Sequence, residues 1–67
     1  MTYHSPLSGR EVIRLMRRHR VTIRELSTRM DITMKRIREV RRDGLQHPGF
    51  VRDWIQHITG QDPGPIL

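Results

Sequence analysis

Thr22 and Thr33 stand eleven residues apart, and each heads a short run with helical spacing, so the chain has to turn sharply between them. Thr22 suits the cap of a helix running through Leu26 to Met30, because a threonine oxygen accepts a hydrogen bond from a first-turn amide. Glu25 can return a bond to the cap's own amide, and Val21 with Leu26 closes over that end as a hydrophobic staple. Asp31 and Ile32 turn the chain. Thr33 then caps a second helix, Met34 to Arg42, stapled by Ile32 and Ile37, with Arg36 where a capping box would carry an acid. Three residues between two helices are too few for antiparallel packing, so these two are expected to cross steeply.

The same device opens the chain's first helix. Ser8 and Glu11 form a capping box, with Leu7 and Val12 as its staple. Val12, Ile13 and Met16, with Leu15 at the edge, make one apolar face, while Arg10, Arg14, Arg17 and Arg18 fall mostly outside it. After Arg42, Asp43 and Gly44 stop the third helix, with Gly44 expected as a left-handed C-terminal cap. Leu45 can fold back onto the core. Pro48 is pre-set for a first helical turn, and Phe50, Val51, Trp54, Ile55 and Ile58 recur at spacings of one and four, so this fourth helix is expected to cover the bundle. Gly60 ends it. Four short helices with tight connections leave little freedom except a compact all-α domain over 8–60, between an irregular arm at 1–7 and a tail at 61–67. Tyr3 and His4 in the arm show no periodicity, and Ile66 and Leu67 put an apolar tip on a polar tail.

Charge says more by its placement than by its total. The chain of 67 residues carries +6, yet Arg10 to Arg42 holds twelve basic against four acidic residues, a local +8, whereas the part from Asp43 onward is −2. All of the basic side chains but Lys35 are arginine, whose planar fork suits phosphate and guanine. Nucleic acid is the partner class this distribution favours. Without cysteine there are no disulfides and no thiolate metal sites. His4, His19, His47 and His57 form no close pair at ligand spacing, so no metal is expected. No glycine-rich phosphate loop and no nucleophile beside a base is present, and so small a core encloses no pocket; neither enzyme activity, a cofactor nor a small-molecule ligand is expected. No apolar run reaches the length of a signal peptide or membrane span, so a cytoplasmic protein is expected. A domain of this size buries only about 60% of its unfolded surface, and pairing with a second copy would stabilise it.

Taken together, Val21 and Thr22, then Glu25, Leu26 and Ser27, then Met30 to Thr33, then Ile37, Val40 and Gly44 resemble the Cro and phage-repressor family of helix-turn-helix proteins. Phe50, Trp54, Ile55 and Ile58 resemble its fourth helix. The resemblance spans about Val12 to Gly60 and implies a compact four-helix, lambda-repressor-like domain. It implies in turn a sequence-specific regulator of transcription that binds palindromic double-stranded DNA as a homodimer, such as a small plasmid, prophage or restriction-system repressor or autoregulator. Ile23 replaces a glutamine that braces DNA contacts in the family, and Asp31 occupies a turn position that is normally glycine. The family's fifth, dimerising helix has no counterpart, so the pairing surface is expected from the arm, the fourth helix or the tail.

Turning Ile37 and Val40 inward points Lys35, Arg38, Glu39 and Arg42 outward along one stripe. The resemblance implies base readers at Met34, Lys35 and Glu39. Lys35 can donate to guanine, Glu39 can accept from cytosine, and Met34 can lie against a thymine methyl, with Arg38 reaching a base or a phosphate. Phosphate contacts are expected from the Thr22 hydroxyl, the amides of Ile23 and Arg24, and the side chains of Arg36, Arg41 and Arg42. A solvated basic face is the plainer reading of such a stripe, and Trp54 in an apolar row reads as core rather than as a stacking platform. Two other functions fit the residues: a protein-interaction module, an antitoxin or adaptor that grips its partner through the C-terminal third, or RNA binding through the arginine face.

Overall fold

The computed structural model describes residues 6–60; the arm residues Tyr3 and His4 and the tail from Gln61 to Leu67 lie outside them. Four helices follow one another, α1 (Gly9–Arg18), α2 (Ile23–Met30), α3 (Met34–Asp43) and α4 (Pro48–Thr59), with no strand among the described residues. None of these helices is long and apolar enough to cross a membrane.

Each start is built by its own cap. Ser8 Oγ accepts from the Glu11 amide at 3.1 Å while Glu11 Oε1 accepts from the Ser8 amide at 3.0 Å, a complete capping box. The Thr22 box is only half made. Its oxygen accepts from the Glu25 amide, but the Glu25 carboxylate accepts a hydrogen bond from the Thr22 hydroxyl, at 3.2 Å, rather than from the cap's backbone amide as the spacing suggested. Thr33 caps α3 by accepting from the Arg36 amide. At α4, Pro48 takes the first helical turn and His47 is the cap, its Nδ1 accepting from the Gly49 amide at 3.1 Å.

The ends are turned by left-handed residues. Arg20, at φ 55°, lets the Val21 amide reach back to the Met16 carbonyl and end α1. Asp31 (φ 55°, ψ 48°) does the same for α2, and Gly60 (φ 77°) for α4. Gly44 departs from its expected left-handed cap. Its φ is 82° but its ψ is −170°, an extended conformation open essentially to glycine alone.

The helices close a ring in the order α1, α3, α2, α4, in which α3 packs on α1 and α2, and α4 packs on the same pair from the other side without approaching α3. Val12, Met16, Leu26, Ile37, Val40, Val51, Trp54, Ile55 and Ile58 fill the middle, and Val21 joins them from the α1–α2 loop; no described polar side chain is buried. Leu15, Ile23, Met30 and Ile32 pack around this cluster. Two members of the expected apolar faces stay out of it. Ile13 is half-exposed and outside the cluster, and Phe50 is 56% exposed, because the face of α4 that meets α1 and α2 is centred on Val51, Ile55 and Ile58.

Leu7 belongs to the packed body rather than to an arm ending at residue 7. It is buried and forms an antiparallel bridge with Leu45, each amide donating to the other's carbonyl at 2.8 and 2.7 Å. That bridge draws the start of α1 against the end of α3, so closely that a methyl group on Gly9 would lie 2.3 Å from the Arg41 carbonyl oxygen. Only hydrogen at this position allows the crossing.

Candidate nucleic-acid interface

The underside of α3 fixes its outer side. Ile37 and Val40 are fully buried, and at 100° per residue this turns Met34, Lys35 and Arg38 to the surface. Met34 is 39% exposed although it is apolar, and Lys35 and Arg38 are exposed beside it. Glu39 is half-buried, with its Oε1 3.8 Å from Arg36 Nη1. A surface pair this long is worth less than about 0.5 kcal/mol, so Glu39 can exchange it for a better donor. Because α4 lies across the ring from α3, nothing among the described residues covers this row.

The turn before α3 sets its direction, and Ser27 holds that turn twice. Its carbonyl accepts from the amides of Asp31 and Ile32, and its hydroxyl donates to the Ile32 carbonyl. Ile23, where the resembled family has glutamine, packs its side chain against the core, so no side-chain bridge from this position braces a DNA contact.

The expected phosphate contacts fall into two groups. Arg24 and Arg36 are exposed, Arg36 with only the long contact to Glu39, and the amides of Ile23 and Arg24 precede the hydrogen-bond ladder of α2 and point outward. Thr22 and Arg42 already have partners. The Thr22 hydroxyl donates to Glu25, and that carboxylate, itself 3.7 Å from Arg29, puts negative charge beside the first turn of α2. Arg42 is held by Asp43 through two hydrogen bonds of 2.9 Å, from Nε and from Nη2. These bonds, with the positive charges of Arg42 and Arg36, keep the Asp43 carboxyl below the ordinary carboxylate range; the same bonds, with the negative charges of Asp43 and Glu39, raise the Arg42 guanidinium further. Asp43 also opposes the partial negative charge at the end of α3, which the Arg42 fork offsets. Arg41 is half-buried, its carbonyl facing Gly9.

Residue spacing alone did not single out Asp43, Ser27 or Gly9 as parts of this arrangement. Asp43 reads as a helix stop, and Ser27 as merely small. Gly9 stands at the first helical position, where glycine costs little, and so carried no signal of the close approach.

No protein-family model matches the chain, and no curated protein or solved structure matches it. The chemistry of the face is nonetheless specific. It combines one flexible ammonium, one guanidinium, one carboxylate and one thioether along roughly a turn and a half of a helix carrying +3, from five basic and two acidic residues. Base edges offer acceptors, amino donors and methyl groups in the major groove, the three kinds of partner these side chains take. A concavity of about 610 Å³, open to solvent, lies elsewhere, between His19, Arg29, His57 and Thr59.

Proposed function

We propose that this protein is a sequence-specific double-stranded DNA-binding regulator of transcription, a repressor or autoregulator rather than an enzyme. In this reading α2, the Asp31–Thr33 turn and α3 work as a lambda-repressor-like helix-turn-helix unit, and a homodimer sets one α3 into the major groove at each of two half-sites about 34 Å apart. The observation that carries it is the uncovered outer row of α3, with Met34, Lys35, Arg38 and Glu39 standing over the buried Ile37 and Val40. Lys35 and Glu39 read base edges, Met34 meets a thymine methyl, and Arg38 takes a base or a phosphate. Arg24, Arg36 and the first amides of α2 hold the backbone, with Thr22, Arg41 and Arg42 as weaker contributors because each is already engaged within the protein or half-buried. Occupying a promoter is enough to repress it.

Selection of bound sequences from a random duplex pool tests this directly. Recovery of a palindrome is expected. Lys35→Ala then loses preference at one base position of each half-site, whereas Arg36→Ala weakens binding to all sequences by a similar factor. A pool that stays random, while a pull-down recovers a specific protein, contradicts the reading and favours the interaction-module alternative. An RNA competitor that displaces duplex DNA at equal salt favours the RNA reading instead.

A further inference from the structure

We propose that Phe50 is the centre of a two-fold contact between two copies of this chain; the choice of a second copy as occupant rests on the regulator reading above. Phe50 is the most exposed large apolar side chain among the described residues, at 56%, on a helix whose other large apolar residues are buried. Its ring lies beside the His47 imidazole, with centroids 5.0 Å apart, and keeps most of its surface open to solvent.

Charge favours the same place. From their sequences α1 and α3 each carry +3 and α2 carries +1, whereas α4 carries Arg52 and Asp53 and is neutral. Two identical cationic molecules repel one another least where α4 meets α4.

Position in the fold makes the contact useful. α4 begins at Pro48, a four-residue loop after α3 ends at Asp43, so the start of α4 is tethered to the C-terminal end of α3 although the two helices do not pack on each other. Copies that meet at Phe50 bring the C-terminal ends of the two α3 helices toward each other and leave Met34 and Lys35 uncovered at the outer ends, the arrangement a two-fold operator requires. The rings of the two Phe50 residues pack as an offset or edge-to-face pair across the axis. A patch built on one phenyl ring is far smaller than the roughly 800 Å² per partner of a stable interface, so association of the free protein is weak and tightens on a duplex that holds both copies.

The absence of cysteine from the chain gives a clean test. Phe50→Cys is oxidised in parallel with Thr28→Cys, an exposed position on α2, and the wild type and Phe50→Asp are compared by sedimentation equilibrium. The expected result is disulfide dimer formation at least about tenfold faster for Phe50→Cys than for Thr28→Cys, since only residues whose Cα atoms approach to within about 7 Å can be bridged. Phe50→Asp should weaken self-association by roughly thirtyfold or more, the effect of losing a central aromatic anchor, with an unchanged melting temperature. Equal cross-linking of the two variants, or a dimer indifferent to Phe50→Asp, overturns the proposal. Neither readout involves DNA, so a dimer through Phe50 whose duplex selection stays random would sink the regulator reading alone, and a sequence-selective protein that fails both assays would sink this contact alone.

Discussion

At its C-terminal end α3 runs against the start of α1, with the Arg41 carbonyl pressed on Gly9 and Leu7 bridged to Leu45; at its N-terminal end Met34 and Lys35 are exposed. One end is held by backbone contacts that tolerate no added atom, and the other is held by a cap and a turn. A helix that reads another molecule needs both conditions, because an outer face presents its side chains in register only if the underside cannot shift. On the proposed reading the tight end governs stability and the open end binding, and substitutions should separate the two.

The largest separation is expected at Gly9. Gly9→Ala forces a methyl group into the Arg41 carbonyl and should cost about 3 kcal/mol in urea denaturation, whereas Lys35→Ala changes stability by less than about 0.5 kcal/mol. Equal effects of the two would remove the contrast.

A smaller effect sharpens it at the boundary between the ends. Asp43→Asn removes the carboxylate charge and one of the two acceptors that hold Arg42, and leaves one more uncompensated positive charge on α3. Affinity for any duplex should rise roughly fivefold at low salt, with a steeper dependence on salt concentration. Unchanged affinity would mean that Arg42 faces away from the backbone of the duplex.

Much of this architecture could be read from the chain before its coordinates. Ser8, Thr22, Thr33, Pro48 and Gly60 mark helix ends because capping chemistry is local, and local rules need no knowledge of the fold. Ile37 and Val40 were legible for a related reason, since periodicity assigns an inner face wherever polar and apolar residues alternate cleanly. Phe50 was not, because its spacing from Trp54 fits an apolar stripe, and only the angle at which α4 meets α1 and α2 decides that Val51 goes in and Phe50 stays out. The Leu7–Leu45 bridge and the Gly9 contact join residues more than thirty positions apart, a pairing that no local pattern encodes. At the candidate interface, the row along α3 followed from periodicity, while the Asp43 clamp on Arg42 depended on which rotamers neighbouring side chains adopt.

The turn offers a more modest change. Asp31 holds a left-handed backbone that glycine adopts without steric cost, so Asp31→Gly should raise stability by about 0.5 kcal/mol after the loss of chain entropy is counted, and Asp31→Val should lower it by more than that. Thermal melts of the three proteins test the order.

Acid should produce the smallest effect. The Ser8 backbone amide, and then its side chain, hold the Glu11 carboxyl below the ordinary carboxylate range. In the unfolded chain Glu11 takes up its proton at higher pH, so the contribution is present at neutral pH and is lost as pH falls through the folded value. Glu11→Gln should flatten that part of the decline in melting temperature between neutral and acidic buffer.

Titration of the labelled protein with duplex DNA, followed by amide chemical shifts in NMR, addresses the central claim most directly. The outer row of α3 is expected to respond first and most strongly, at Met34, Lys35, Arg38 and Glu39, together with the opening amides of α2, while Arg52 to Thr59 on α4 stay nearly still. Shifts gathered on α4 with α3 silent would contradict the account.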